Sequence, residues 1–251
     1  MLLAVDIGNT STKFGTFDGD RLVSKISIPT IREVTSEGLS AVLSSRIPAN
    51  ITDAIVCSVV PETEAAMDGY LRSAFAVEPM LVSNDLDFGL TINYTPLEAV
   101  GADRLVNAFS AVETYGLPCV VCSFGTALTI DAVDIDRNLL GGIIAPGMKA
   151  MARSLYEMAS RLPEVEPERT ETVIQNTTVG SISSGIFHGY LGMAEGLIRQ
   201  IRLEMGGSPK VIATGGTADA IAPYIDLIDI VDGDLLLDGL QLLYSRPLTA
   251  N

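Results

Sequence analysis

Apolar and polar positions alternate along the first third of the chain in a pattern that predicts an α/β fold. Residues 2–7 form a nearly continuous apolar run, and further extended runs lie on either side of the turn signal Asp18-Gly19-Asp20. Two later segments are helical in spacing or composition, and an apolar run separates them. The predicted strands are residues 2–7, 12–17, 21–28 and 54–60, and the predicted helices are residues 34–47 and 62–74.

The same succession of strand, glycine turn, strand, acidic turn and strand recurs in the second half, which indicates an internal duplication. Gly8 in the first copy matches Gly125 in the second. Coincidence is the alternative, because the halves share a single clear glycine motif. Duplication predicts two similar lobes, residues 1–115 and 116–251. The predicted strands of the second half are residues 118–123, 128–133, 139–145 and 211–214, and its predicted helices are residues 148–161, 179–205 and 235–244.

Charge and hydropathy exclude several classes of protein. The 251 residues include 16 Lys and Arg against 31 Asp and Glu, and a phosphate backbone would be repelled by the formal net charge of −15. The apolar runs end well before the ~18 residues that a bilayer span needs. The N-terminus lacks the features of a secretion signal, and three cysteines do not make a disulfide framework. These features predict a cytoplasmic protein that binds neither nucleic acid nor membrane.

The segment Asp6-Ile7-Gly8-Asn9-Thr10-Ser11-Thr12-Lys13 is the first candidate for chemistry. A strand that ends in aspartate and turns through glycine and hydroxyl residues presents N–H and Oγ donors to phosphate oxygens. Asp6 can hold Mg²⁺ through water, and Lys13 can neutralise phosphate charge. The alternative is an ordinary hairpin turn that needs a glycine. A second hairpin, Ser123-Phe124-Gly125-Thr126, favours the phosphate site, because two such hairpins facing each other form a phosphate cleft.

A third glycine element, Gly215-Gly216, follows the predicted strand at residues 211–214. Glycines at the carboxyl end of a strand let a nucleotide approach the backbone, and a plain turn is the alternative. The chain has neither a Walker-type loop nor a Rossmann glycine motif. Both of those nucleotide-binding folds are therefore disfavoured.

The segment Gly101-Ala102-Asp103-Arg104 precedes a predicted helical run at residues 105–112. At a helix start, Asp103 can act as a general base and Arg104 as an anion clamp. The alternative is an acidic residue that favours the helix N-terminus, with Arg104 paired at the surface.

Taken together and in order, these motifs resemble those of type III pantothenate kinases, a family in the superfamily of actin, hexokinase and acetate kinase. The resemblance implies an α/β fold of two duplicated ribonuclease-H-like lobes, each a mixed sheet with helices on both faces, in an actin-like ATPase architecture. The matching motifs span nearly the whole chain and are Asp6-Ile7-Gly8-Asn9-Thr10, Gly101-Ala102-Asp103-Arg104, Phe124-Gly125-Thr126-Ala127, the glycine-flanked residues 141–147, and Thr214-Gly215-Gly216.

The resemblance implies ATP-dependent phosphorylation of pantothenate to 4′-phosphopantothenate, the first step of coenzyme A biosynthesis. Residues 6–13 are then the binding site for the ATP phosphates and Mg²⁺, and Asp103 is the general base. Thr126, Gly215 and Gly216 are implied nucleotide contacts. The family works as a homodimer whose substrate site includes both subunits. The implied pantothenate contacts are Tyr94, Gly101, Ala102, Asp103, Arg104 and Thr178.

Ser123 departs from the family pattern, which has an aspartate at this position as a ligand of a monovalent cation, K⁺ or NH₄⁺. A neutral hydroxyl is a poorer partner for a weakly bound cation. One alternative is therefore an active kinase with weakened potassium dependence. Another is a catalytically impaired nucleotide-binding relative with a regulatory or accessory role. A third is a kinase of the same superfamily that acts on another small hydroxylated acid.

Overall fold

The computed structural model describes residues 1–246, and contacts within the chain divide it into two units. The first unit comprises Met1–Thr114 together with the chain from Asp234 onward, and the second comprises Tyr115–Gly233. Across the described part of the chain, every helix is too short or too polar to cross a membrane.

The first unit contains a mixed sheet of five strands, which are β1 (Leu2–Ile7), β2 (Ser11–Asp18), β3 (Arg21–Pro29), β4 (Asp53–Ser58) and β5 (Met80–Leu81). The short strand β6 (Thr91–Ile92) follows along the chain. The strand order is β3-β2-β1-β4-β5. β2 runs antiparallel to β1 and β3, whereas β4 runs parallel to β1 and β5. β1 is buried along its whole length, which agrees with its unbroken apolar run.

Three helices are interspersed with these strands: α1 (Ser36–Leu43) lies between β3 and β4, α2 (Pro61–Phe75) between β4 and β5, and α3 (Ala102–Tyr115) after β6. A 3₁₀ turn at Leu97–Ala99 precedes α3. The Thr35 hydroxyl accepts a hydrogen bond from the Gly38 N–H and caps α1, and Pro61 begins α2. Side chains of α1 and α2 pack with one face of β1 in a common apolar core. These helices therefore cover one side of the first sheet.

The second unit repeats the topology of the first. Its strands are β7 (Cys119–Phe124), β8 (Ala127–Val133), β9 (Asn138–Pro146), β10 (Lys210–Thr214) and β11 (Ile230–Val231). Their order is β9-β8-β7-β10-β11, which matches the first sheet strand for strand. β7 and β9 run antiparallel to β8, and β10 runs parallel to β7 and β11. The predicted duplication and the mixed α/β class are therefore confirmed.

The helices of the second unit are α4 (Met148–Met158), α5 (Thr178–Met205) and the short α6 (Ala218–Ile221), which runs into a 3₁₀ turn at Ala222–Tyr224. α5 supplies Phe187, Tyr190 and Ala194 to a core that also contains one face of β7. Residues 162–167 form an acidic, proline-containing connection between α4 and α5; it is largely exposed, but Val165 joins an apolar cluster with Ile182.

The last helix, α7 (Leu235–Ser245), lies in the first unit, where it packs on β1 and β4. The predicted lobes, residues 1–115 and 116–251, place this helix in the second lobe. Its position follows from its apolar side: Leu237 contacts the sheet at Gly15, on the face opposite α1 and α2. A Cβ at Gly239 would lie 2.7 Å from Cβ of Ser110, so a glycine lets α7 approach α3 closely. Residues 247–251 lie outside the described residues.

Candidate active site

The predicted phosphate motif, Asp6 to Lys13, forms the turn between β1 and β2. Asp6 is directly opposite Lys13 in the antiparallel pairing, and the Lys13 Nζ lies 3.6 Å from Asp6 Oδ2. The Gly8 N–H donates to the Ser11 carbonyl at 3.1 Å and closes the turn. A Cβ at Gly8 would lie 3.1 Å from the same Ser11 oxygen. The glycine therefore permits a tighter turn than other residues would.

The carboxylate of Asp6 is almost completely buried, with 7% of the residue exposed. Burial is the main reason that its pKa is raised to about 6; the Lys13 charge opposes the shift, and the negative charge of Asp103 adds to it. The charge of Asp103 therefore reaches Asp6 within the first unit. An ionised, buried carboxylate that is short of positive charge is a suitable ligand for a hydrated cation such as Mg²⁺.

Asp103 lies in the first turn of α3 and is half-buried. Its Oδ1 accepts a hydrogen bond from the Arg104 N–H at 2.9 Å. Burial raises the pKa of this carboxyl as well, against the lowering effect of the hydrogen bond and of the Arg104 charge. A Cβ at Gly101 would lie 2.4 Å from Asp103 Oδ1, so the glycine makes room for the carboxylate. The pKa shift brings Asp103 nearer to the range in which a general base is effective.

Arg104 and Tyr94 come together although ten positions separate them in the chain. Arg104 is 5% exposed, and its guanidinium carbon lies 5.3 Å from the centroid of the Tyr94 ring. Asn84 holds the intervening segment by donating to the carbonyls of Leu97 and Val100 at 2.7 and 2.9 Å. The first unit therefore gathers the predicted residues Asp6, Tyr94, Asp103 and Arg104.

In the second unit, Thr126 lies in the turn between β7 and β8, where the Gly125 N–H donates to the Ala127 carbonyl at 3.0 Å. The Gly147 N–H, at the start of α4, donates to the Thr126 carbonyl at 3.1 Å. A Cβ at Gly147 would lie 2.4 Å from the Gly125 carbonyl oxygen. The glycine that begins α4 thus packs directly on the second hairpin.

Gly215 and Gly216 reach the same hairpin from β10. Gly215 has φ of +96°, and a Cβ there would lie 2.5 Å from the Phe124 carbonyl oxygen. Both the N–H and the hydroxyl of Thr217 donate to that carbonyl at 3.1 Å. Gly147 and Gly215 therefore both pack closely on the second hairpin, Gly147 at residues 125–126 and Gly215 at Phe124.

Replacing Gly215 with alanine is expected to lower the free energy of unfolding by about 2 kcal/mol or more, because its φ and the nearby carbonyl both exclude a Cβ. Gly216→Ala is the matched control: a Cβ there meets no atom within 4 Å. The control is expected to change the free energy by less than about 1 kcal/mol in urea unfolding. Equal losses in the two variants would contradict the close approach of Gly215 to Phe124.

The remaining predicted residues of the second unit, Ser123 and Thr178, lie in different settings. Ser123 is near the end of β7, between Thr129 of β8 and Thr214 of β10. Thr178 is the first residue of α5 and lines a groove of about 440 Å³ between α4 and α5. The groove is mainly apolar, with lining residues that include Met151, Leu155, Ile182 and Ile186. Among the described residues, no group of three or more His, Cys, Asp or Glu is placed to hold a metal.

Two residues of the first unit that were not predicted from the sequence lie next to the candidate site. Cys57 is paired with Asp6 in the parallel ladder of β1 and β4, and burial together with both carboxylates raises the pKa of its thiol. Thr30 donates a hydrogen bond to the Gly8 carbonyl at 2.6 Å. The pairing register of β2 with β3 is what would have identified Thr30 as a neighbour of the turn, because it brings residue 30 next to residue 10.

The repeated strand order, with a glycine hairpin after the first strand of each unit, defines the actin-like class of α/β proteins. Solved structures agree on the fold. A Baf family protein from Campylobacter jejuni superposes with a TM-score of 0.59 at 19% identity, covering 96% of both chains. The ethanolamine utilization protein EutJ from Carboxydothermus hydrogenoformans gives a TM-score of 0.54 at 14% identity, covering 96% of this chain and 89% of EutJ.

The sequence comparisons narrow this class to one family. The family model for type III pantothenate kinase matches residues 2–200. Curated type III pantothenate kinases of Halalkalibacterium halodurans and Syntrophotalea carbinolica are 35% and 38% identical, over 98% of this chain and 99% of each relative. The chain therefore belongs to the type III pantothenate kinase family, as the motifs predict.

Proposed function

We propose that this chain transfers the γ-phosphoryl group of ATP to the primary hydroxyl of pantothenate, giving 4′-phosphopantothenate at the start of coenzyme A biosynthesis. Family membership over nearly the full length supports this activity. The structural observation that carries it is the presence in the first unit of two carboxyl groups whose pKa is raised by burial, Asp6 on the glycine hairpin and Asp103 at the start of α3. In phosphoryl transfer, one carboxylate can hold the metal ion that accompanies the phosphates, and another can accept the proton of the acceptor hydroxyl.

In the proposed reaction, Asp103 accepts the proton of the pantothenate hydroxyl as its oxygen attacks the γ-phosphorus. The raised pKa makes this carboxylate a stronger base, and the Arg104 N–H holds it in place. Asp6 would hold hydrated Mg²⁺, and the ion would supply positive charge against the ATP phosphates. The turn of residues 8–12 supplies oriented donors to the phosphates, and Lys13 adds a positive charge.

Pantothenate is proposed to bind beside Asp103, in contact with Gly101, Ala102, Tyr94 and Arg104. The buried guanidinium of Arg104 suits the carboxylate of pantothenate, because a charge-assisted hydrogen bond is strong where water is excluded. Thr178 is a further proposed contact, and the nucleotide is proposed to lie against Thr126, Gly215 and Gly216.

The test is ADP release by the purified protein with MgATP, measured with pantothenate and, in parallel, with other small hydroxylated acids. Strong stimulation by pantothenate alone is the expected result. Stimulation by a different hydroxy acid would favour a kinase of the same superfamily with another acceptor. A folded protein that binds ATP without releasing ADP would favour the catalytically impaired relative, which the full-length similarity to named kinases does not support.

The side chains next to Ser123 are poorly suited to bind K⁺ or NH₄⁺, because they do not offer the negative charge of a carboxylate. Ser123 has cross-strand neighbours, Thr129 and Thr214, that are also neutral hydroxyl residues. We therefore expect turnover rates in potassium and sodium buffers to agree within about twofold. Ser123→Asp is expected to make the rate higher in K⁺ than in Na⁺, because it adds a carboxylate at this position. A parent protein more than about tenfold faster in K⁺ would contradict the expectation.

A homodimer is proposed from the exposed apolar side chains of the second unit. Met158 at the end of α4 is 87% exposed, and Ile174 before α5 is 91% exposed. Leu155, Val173 and Val179 are also exposed, and apolar groups gathered in this way favour a protein interface. Light scattering is expected to give twice the chain mass of 26.5 kDa, and a monomer at micromolar concentration would contradict the proposal.

The proposed location is the cytoplasm, where ATP is available. All three cysteines are free and buried, which suits a reducing compartment.

A further inference from the structure

A short segment after β3, residues 30–32, braces the phosphate hairpin from one side. The pairing of β2 with β3 ends at Ser11 and Pro29, and the next residue on each strand continues the contact. The Thr30 N–H donates to the Thr10 carbonyl at 3.0 Å. The brace therefore holds the turn itself and not only the strands that lead to it.

The hydroxyl of Thr30 adds two hydrogen bonds to the hairpin. It donates to the Gly8 carbonyl at 2.6 Å and lies 3.1 Å from the hydroxyl of Thr12. Because its single proton is used on Gly8, the second bond must be donated by Thr12. The result is a chain of polarised bonds from the buried Thr12 through Thr30 to the Gly8 carbonyl.

Two further contacts fix the brace. Arg32 donates from Nη2 to Asn9 Oδ1 at 2.8 Å, on the exposed side of the turn. The Ile31 carbonyl accepts a hydrogen bond at 3.1 Å from the hydroxyl of Thr63, a buried residue of α2. The hairpin is thus connected through residues 30–32 to a packed helix of the same unit.

The Thr30 bond has a geometric consequence for the following peptide unit. In a planar trans peptide the carbonyl of one residue and the N–H of the next point in opposite directions. With the Gly8 carbonyl directed at Thr30, the Asn9 N–H is directed away from the brace. Glycine allows this peptide to rotate more freely than other residues would, so an external hydrogen bond is needed to select one orientation.

We propose that Thr30 is a positioning residue for ATP: its hydroxyl orients the Gly8–Asn9 peptide so that the Asn9 N–H faces the nucleotide phosphates. The proposal rests on the proposed function of the hairpin as a phosphate site. Thr30 does not itself touch the nucleotide. Its effect is preorganisation, since the donor is already aimed before ATP arrives.

Thr30→Val and Thr30→Ser separate this role from simple packing. Valine keeps the branched shape and removes the hydroxyl, whereas serine keeps the hydroxyl. We expect Thr30→Val to raise KM for ATP about tenfold while KM for pantothenate stays within about twofold, and Thr30→Ser to restore most of the affinity for ATP. Thr52→Val is the matched control. This variant also loses the hydrogen bonds of a threonine hydroxyl, here with Met1 and Asp53, but residue 52 is far along the chain from the turn.

Calorimetric titration of the full-length protein with MgATP makes the test independent of turnover. A roughly tenfold weaker ATP affinity in Thr30→Val, together with parent-like affinity in Thr30→Ser and Thr52→Val, supports the proposal. Parent-like affinity in Thr30→Val overturns it, as does an equal loss of affinity in Thr30→Ser or Thr52→Val. If the parent binds ATP but does not phosphorylate pantothenate, the proposed function fails while the titration still decides the role of Thr30.

Discussion

The Asp103→Asn variant is expected to phosphorylate pantothenate with a kcat at least about a hundredfold below that of the parent. Asparagine has nearly the same shape and keeps an oxygen that can accept the 2.9 Å hydrogen bond from Arg104 N–H, but it cannot take up the hydroxyl proton. Since burial raises the pKa of the native carboxyl, the variant loses a base stronger than an ordinary aspartate. The measurement is kcat at saturating ATP and pantothenate.

Asp20→Asn is the control for a change of charge in the same unit. Asp20 lies in the exposed turn between β2 and β3, and its replacement is expected to leave kcat within about twofold of the parent. Comparable melting temperatures for the two variants establish that Asp103→Asn is folded. Near-normal turnover by folded Asp103→Asn would remove Asp103 from the role of general base.

The Asp6→Asn variant is expected to lose at least about a hundredfold in activity and yet to unfold less readily than the parent above pH 7. Activity falls because the proposed ligand of Mg²⁺ is gone. Stability rises because a buried, ionised carboxylate coupled to Asp103 is replaced by a neutral amide of similar shape. Lys13 loses its partner in the variant, but its side chain is 27% exposed and water can solvate it.

The pH dependence of this stability difference has a definite sign. The pKa of Asp6 is about 6 in the folded protein against 3.8 as the ordinary value, so the folded state binds the proton more tightly than the unfolded state. The free energy of unfolding that this tighter proton binding adds is fully present below pH 3.8 and is lost as the pH rises through 6. The loss amounts to about 3 kcal/mol.

Urea unfolding of the parent and of Asp6→Asn across this pH range isolates the contribution of Asp6. Relative to the parent, the free energy of unfolding of the variant is expected to increase between pH 4 and pH 7. The difference is expected to reach on the order of 1–3 kcal/mol at pH 7. A variant that is less stable than the parent at pH 8, or that retains normal turnover, would contradict the proposal that Asp6 is a buried, ionised ligand of the cation.

Much of the fold follows from periodicity alone. Every predicted strand and helix is present; most carry an apolar run or stripe long enough to define a period, as β1 and α5 do, whereas α2 was predicted from its composition. The strands β5, β6 and β11 span two residues each and were not predicted, since two residues contain no period. α7 was predicted as a helix, but its apolar stripe fits either sheet, and only packing decides that it joins the first.

The site was predicted as a set of motifs, and its geometry was not. Asp6 and Asp103 were each recognised from their neighbours in sequence, whereas the effect of the Asp103 charge on Asp6 depends on how the first unit folds. Thr30 was missed because a bulge between Thr16 and Phe17 shifts the hairpin register by one residue, which the pattern does not show. The convergence of Gly147 and Gly215 on the second hairpin likewise requires three distant segments to fold together.

The most direct test of the proposed reaction follows the transferred group itself. The purified protein is incubated with MgATP labelled with ¹⁸O in the γ-phosphoryl group and with pantothenate, and the products are identified by mass spectrometry. The account predicts 4′-phosphopantothenate carrying the label, formed in equal amount to ADP and greatly reduced in Asp103→Asn. Release of ADP without labelled 4′-phosphopantothenate, from a folded protein that binds both substrates, would contradict it.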